Sequence, residues 1–91
     1  LTRVPLERAS TLIGRLRSQV DFAVTNPRVG KIHAEFIVRD GKVFVKDLNS
    51  KNGTYINGNP QRLGSNVEYP LSDRDRVSMA DSEFTLRCSS R

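Results

Sequence analysis

The chain has 91 residues, with 15 Lys and Arg against 10 Asp and Glu for a net charge of +5, 36% hydrophobic and 27% charged residues. That composition leaves room for one small folded domain with a modest core and lies away from the low-hydrophobicity, high-charge range of disordered chains. No apolar run exceeds three residues, where a membrane helix needs about 20, and one cysteine with one histidine excludes an internal disulfide and a structural zinc set.

Taken in chain order, the first dozen residues, with Pro5 between Val4 and Leu6, hold no sustained helical period and read as coil or an edge strand. Ser10 to Gly14 and Asp21 to Thr25 are plausible strands separated by a polar loop. Ala34, Phe36 and Val38 alternate with Glu35, Ile37 and Arg39, the period-two pattern of a half-buried strand. Asp40-Gly41 follows, a dipeptide suited to a type I′ turn, and residues 42 to 46 return as a β-branched and aromatic run, so a hairpin is expected over residues 33 to 48. Asn52-Gly53 and Asn57-Gly58 bracket a short strand, Thr54 to Ile56. Arg76 to Met79 and Glu83 to Cys88 read as a closing hairpin, with Cys88 on the core face and Ser89 to Arg91 as a tail. Short strands with turn chemistry at close intervals predict an all-β, antiparallel sandwich or barrel.

Catalytic readings find little material. His33 is the single side chain with an ordinary pKa near neutrality, and no serine or cysteine stands in a nucleophile context, so His33 reads as structural and the chain as a non-enzyme with no metal or other cofactor. Asp73 and Asp75 read as solvated carboxylates. The basic residues are spread along the chain with acidic residues between them, without the run or aromatic interleaving of a nucleic-acid binder. Several of them nevertheless fall in expected loops. Arg15 follows Gly14, Lys31 ends the turn that begins at Asn26, and Ser50-Lys51-Asn52 occupies the loop after the next strand. If these loops emerge at one end of the sandwich, a guanidinium, ammoniums, a hydroxyl and a carboxamide surround one point, a set suited to phosphate.

The blocks Ile13-Gly14-Arg15, Val29-Gly30-Lys31-Ile32-His33-Ala34 and Asp47-Leu48-Asn49-Ser50-Lys51-Asn52-Gly53-Thr54-Tyr55-Ile56-Asn57-Gly58, continued by Leu71 to Val77, resemble the forkhead-associated (FHA) domain over residues 12 to 88. The resemblance implies an antiparallel sandwich whose loops at one end grip phosphothreonine in a partner protein. By matching motifs it implies that Arg15 binds phosphate, that Lys31, Ser50, Lys51 and Asn52 form the remaining phosphopeptide site with Asn52 on the peptide backbone, and that His33 braces the loops from within. Gly14, Gly53, Asn57 and Gly58 are structural on this reading, the glycines through positive φ angles. Nucleic acid and membrane insertion are not expected. The chain, with its Leu1 start and no signal-peptide pattern, reads as a single domain cut from a longer cytoplasmic signalling protein.

The sequence departs from the family pattern in two places. Gly30 stands where a serine is usual, removing a hydroxyl donor to phosphate, and Lys31 keeps charge without the guanidinium fork. Arg74-Asp75 replaces a usual Gly-Asp, which puts the turn geometry there in question. A degenerate, phosphate-independent scaffold is therefore the rival to a phosphothreonine module, with a basic nucleic-acid binder behind it.

Overall fold

The alternation at residues 34 to 39 folds as expected. In the computed structural model of the chain, which describes residues 4 to 87, β1 (Ser10–Gly14), β2 (Phe22–Ala23), β3 (Ala34–Arg39), β4 (Lys42–Asp47) and β6 (Glu68–Leu71) form one sheet in the order β2-β1-β3-β4-β6. The second sheet contains β5 (Thr54–Ile56), β7 (Arg76–Met79) and β8 (Ser82–Thr85) in the order β5-β7-β8. The described residues contain no helix, so none is long and apolar enough to cross a membrane. Cys88 and the tail lie outside the described residues.

Register follows from burying one face of each strand. Ile13 pairs with Ala34, Thr11 with Phe36, Phe36 with Val45 and Val45 with Tyr69, so the apolar positions of four strands line up across one face. Ile13, Ala34, Phe36 and Val45 meet Val77 and Met79 of the second sheet, with Val29 and Leu63 supplied by loops. Ile13, Val45, Val77 and Met79 are each at most 1% exposed, and burying such a side chain is worth roughly 1.5–3 kcal/mol. On the solvent face Lys46 lies 3.5 Å from Glu35, and Arg39 bonds Glu68 at 2.7 Å while covering the Phe44 ring at 4.7 Å. Arg39–Glu68 is a surface pair that stabilises the sheet little, while Lys46–Glu35 is half-buried.

Asp40 and Gly41 take φ of 55° and 74°, the left-handed pair that a tight hairpin between β3 and β4 needs. Asn57 and Gly58 do the same at 54° and 71°.

Three details differ from the sequence reading. β2 is two residues long and runs parallel to β1, Ile13 opposite Phe22, because the loop after Gly14 swings the chain around to the same direction. β6 escapes the sequence reading because Pro70 interrupts its alternation; it is tolerated because β6 is an edge strand with no further neighbour to receive an N–H. Gly14 is no positive-φ turn glycine. It ends β1, and a Cβ there would lie 2.3 Å from the Lys31 carbonyl oxygen, so glycine is required by close backbone approach.

Candidate functional site

That close approach builds the site. Beyond Gly14 the β1–β3 ladder continues into loop: Arg15 N–H donates to Gly30 O at 2.9 Å, Leu16 N–H to Lys31 O at 3.1 Å and His33 N–H to Ile13 O at 2.8 Å. The Arg15 and Lys31 segments are thereby zipped together at one end of the sandwich. The loop after β4 joins them, since Leu48 N–H donates to His33 O at 2.9 Å. Arg15, Lys31, Ser50, Lys51 and Asn52 all line one open groove of about 340 Å³, whose walls also include Arg28, Gly30 and Ile32. Asn57 and Gly58 do not line it; Asn57 pins its turn to β7 by donating to Asp75 Oδ1 at 3.0 Å and accepting from Arg76 N at 2.8 Å. A second depression of about 220 Å³, near Val4, Arg8 and Phe22, holds none of the motif residues.

The groove is cationic: four of its lining residues, Arg15, Arg28, Lys31 and Lys51, are basic and none is acidic. Arg15 lies exposed, with its Nε donating to Val29 O at 3.1 Å, which holds the guanidinium base and leaves both Nη groups for a ligand. Asn52 donates from Nδ2 to Arg28 O at 2.7 Å, tying the third loop across the groove to the second, with one N–H and its oxygen still available.

Ser50 serves differently from the rest. It is 7% exposed, its hydroxyl proton goes to Asp47 Oδ1, and its oxygen accepts Gly53 N–H at 3.0 Å. A hydroxyl has one proton, so Ser50 organises the loop and has no donor left for phosphate in this arrangement. Asp47, fully buried at the end of β4, also accepts Ser50 N–H at 3.1 Å and the Thr54 hydroxyl at 2.6 Å. Gly53 at φ 87° closes the turn.

His33 is 0% exposed and joins two loops: Nδ1 accepts Gly30 N–H at 2.8 Å, so Nε2 carries the proton and donates to Gly53 O at 2.9 Å. Its pKa is pushed below the ordinary 6.5, chiefly by burial and in the same direction by the Arg62 charge, against the Gly53 hydrogen bond and Asp47. The ring is neutral at pH 7 and makes its bonds only in that form. It does not line the groove.

Two supports lay outside the site residues chosen from the sequence. Asp47 opens the third motif block, and its spacing of three to Ser50 is the sequence signal for a carboxylate that accepts from the loop it begins. Asn26 accepts Arg28 N–H at 3.0 Å and donates to Asp81 and Ser82 at 2.6 and 2.7 Å, fastening the Lys31 loop to the β7–β8 turn. An asparagine before proline announces a turn but not that distant contact.

A sandwich with phosphate-type donors gathered on its end loops defines a class of ligand-binding β domain. The FHA domain family matches residues 11–80, and the chain belongs to that family. It is 28% identical over 91 residues to the protein phosphatase 1 regulatory inhibitor subunit PPP1R8 homolog of Arabidopsis thaliana, covering 99% of this chain and 25% of that protein. It is 39% identical over 59 residues to the oxoglutarate dehydrogenase inhibitor of Corynebacterium diphtheriae, covering 65% of this chain and 41% of that one. The chain thus spans between a quarter and about two fifths of these relatives. Among solved structures it superposes on an FHA domain studied for phosphothreonine-dependent interactions, with TM-score 0.81, 29% identity and coverage of 94% of this chain and 83% of that chain. Mycobacterium tuberculosis EmbR, in complex with a low-affinity phosphopeptide, gives TM-score 0.82 and 31% identity over 96% of this chain and 22% of that chain.

Proposed function

We propose that this FHA domain is a phosphothreonine-dependent protein-interaction module that binds and does not catalyse, carried in a longer cytoplasmic signalling protein. The observation that carries the reading is the convergence of Arg15, Lys31, Lys51 and Asn52 from separate loops on one groove without a carboxylate. Phosphothreonine brings a charge of about −1.5 to −2 at neutral pH and three acceptor oxygens. Arg15 offers its two free Nη groups as a fork, and the Lys31 and Lys51 ammoniums add point charges. The spare amide N–H and oxygen of Asn52 suit the backbone of an extended peptide. His33 and Asp47 act behind the groove by holding the loops, and neither meets the ligand.

One observation favours the rival, a phosphate-independent scaffold. Gly30 has no hydroxyl and the Ser50 hydroxyl is committed to Asp47, so the groove offers phosphate no free serine donor. Backbone N–H groups, water and the cations must serve instead. The experiment is ¹⁵N chemical-shift mapping with a phosphothreonine peptide, its unphosphorylated twin and a DNA duplex. The phosphothreonine reading expects shifts at residues 15, 30–32 and 50–52 with the phosphopeptide alone. Equal shifts with the unphosphorylated twin mean the scaffold, and shifts with the duplex alone mean a nucleic-acid binder.

A further inference from the structure

Ser50 and Lys51 carry backbone carbonyls in the middle of the groove's third loop, and both point their hydrogen bonding at one side chain from a distant part of the chain. Arg62, between β5 and β6, donates from Nη2 to Ser50 O at 2.5 Å and from Nη1 to Lys51 O at 3.4 Å. Among the described residues no other group donates to either carbonyl. The rest of that loop is fixed by Asp47 on Ser50, by Ser50 on Gly53 N–H and by the Asn52 side chain on Arg28 O, so Arg62 supplies what holds the Ser50 and Lys51 carbonyls.

Arg62 is itself anchored. The next residue, Leu63, is 8% exposed in the core and donates its N–H to Thr54 O at 2.9 Å, while the Thr54 hydroxyl donates to Asp47. A closed circuit runs from Leu63 through Thr54 and Asp47 to Ser50 and returns through the Arg62 side chain. Arg62 does not line the groove.

We propose that Arg62 is a positioning residue for ligand binding: its guanidinium sets the conformation of the Ser50–Lys51–Asn52 segment, and phosphopeptide affinity depends on it without contact to the ligand. The proposal rests on the phosphothreonine reading of the groove. The planar fork suits two successive carbonyls; a lysine ammonium on a shorter reach satisfies one of them. Losing both bonds leaves the Ser50 and Lys51 peptide units held only by their neighbours, with the Asn52–Arg28 bond as the remaining tie across the groove, and the added ordering cost then falls on the binding step.

The test is titration of a phosphothreonine peptide into the wild type, Arg62→Ala, Arg62→Lys, Asn52→Ala and the Arg62→Ala/Asn52→Ala double variant, at a temperature where circular dichroism shows each one folded. Amide hydrogen exchange over residues 50 to 53 is followed alongside. Arg62→Ala should bind about tenfold more weakly, Arg62→Lys should fall between, and exchange at the hydrogen-bonded amides of Ser50 and Gly53 should accelerate. The losses should fail to multiply in the double variant, because Arg62 works through Asn52's loop. Binding of Arg62→Ala within about twofold of wild type, or losses that multiply fully, overturns the proposal. If the wild type itself ignores the phosphopeptide, the phosphothreonine reading falls instead. Exchange then decides for Arg62 alone: acceleration at the Ser50 and Gly53 amides supports its positioning role, and unchanged exchange there overturns it.

Discussion

His33 Nδ1 accepts the backbone N–H of Gly30 at 2.8 Å, so the position that lacks the family serine is held from beneath by the buried ring that also reaches Gly53. A protonated ring cannot accept that bond. Because burial lowers the folded pKa below 6.5, the unfolded chain takes up the proton first as pH falls. The His33 contribution is fully present above pH 6.5 and is lost progressively as pH drops from there toward the folded value. Thermal melts of the wild type between about pH 8 and 5 should show this loss, and His33→Gln should lack that component. Parallel pH profiles of the two proteins would contradict it. Asp75, held below its ordinary 3.8 chiefly by Asn57, acts in a separate window below that value.

Gly30 lies outside the left-handed region, and a Cβ there would meet the nearest atom, His33 Nδ1, at 3.4 Å. Serine is therefore accommodated. Gly30→Ser should keep or slightly raise the melting temperature and should tighten phosphopeptide binding by about 0.5–1.5 kcal/mol, the net worth of one hydrogen bond. A lower melting temperature without tighter binding would mean that the loop cannot present the hydroxyl.

Gly14→Ala should act in the opposite sense. Its methyl group would overlap the Lys31 carbonyl, a backbone atom with no rotamer to yield, and should force apart the two segments that carry Arg15 and Lys31. We expect a stability loss of at least about 2 kcal/mol in chemical denaturation. A loss under about 0.5 kcal/mol would show that the approach is looser than described.

Arg74 adopts φ of 74°, the conformation that a glycine takes without steric cost, and its side chain is 82% exposed beside Asp73. Such a surface pair gives little in return. Arg74→Gly should stabilise the domain by about 0.5–1 kcal/mol, and Arg74→Ala, which keeps the Cβ, should not. Equal stability of the two variants would remove the strain argument.

The sequence made the β3–β4 hairpin legible because alternation and Asp40-Gly41 both act locally. The three groove loops were legible through their motif strings, which place Arg15, Lys31 and Asn52 together only once the family is known. What stayed hidden depends on tertiary contact. β6 is disguised by Pro70, which only an edge position permits. Pairing of β2 with β1 rests on two residues. The commitment of the Ser50 hydroxyl follows from the end of β4 delivering Asp47 beneath it, and Arg62 looks like any surface arginine until its loop is folded against Ser50 and Lys51.

The most direct measurement of the central claim is calorimetric titration of one phosphothreonine peptide and its unphosphorylated twin into the wild type and Arg15→Ala at pH 7.5. The account predicts binding of the phosphorylated peptide alone, and a loss of about 1.5–3 kcal/mol in Arg15→Ala as the charge-assisted bonds to phosphate disappear. Equal binding of both peptides, or undiminished binding by Arg15→Ala, would contradict phosphate recognition in this groove.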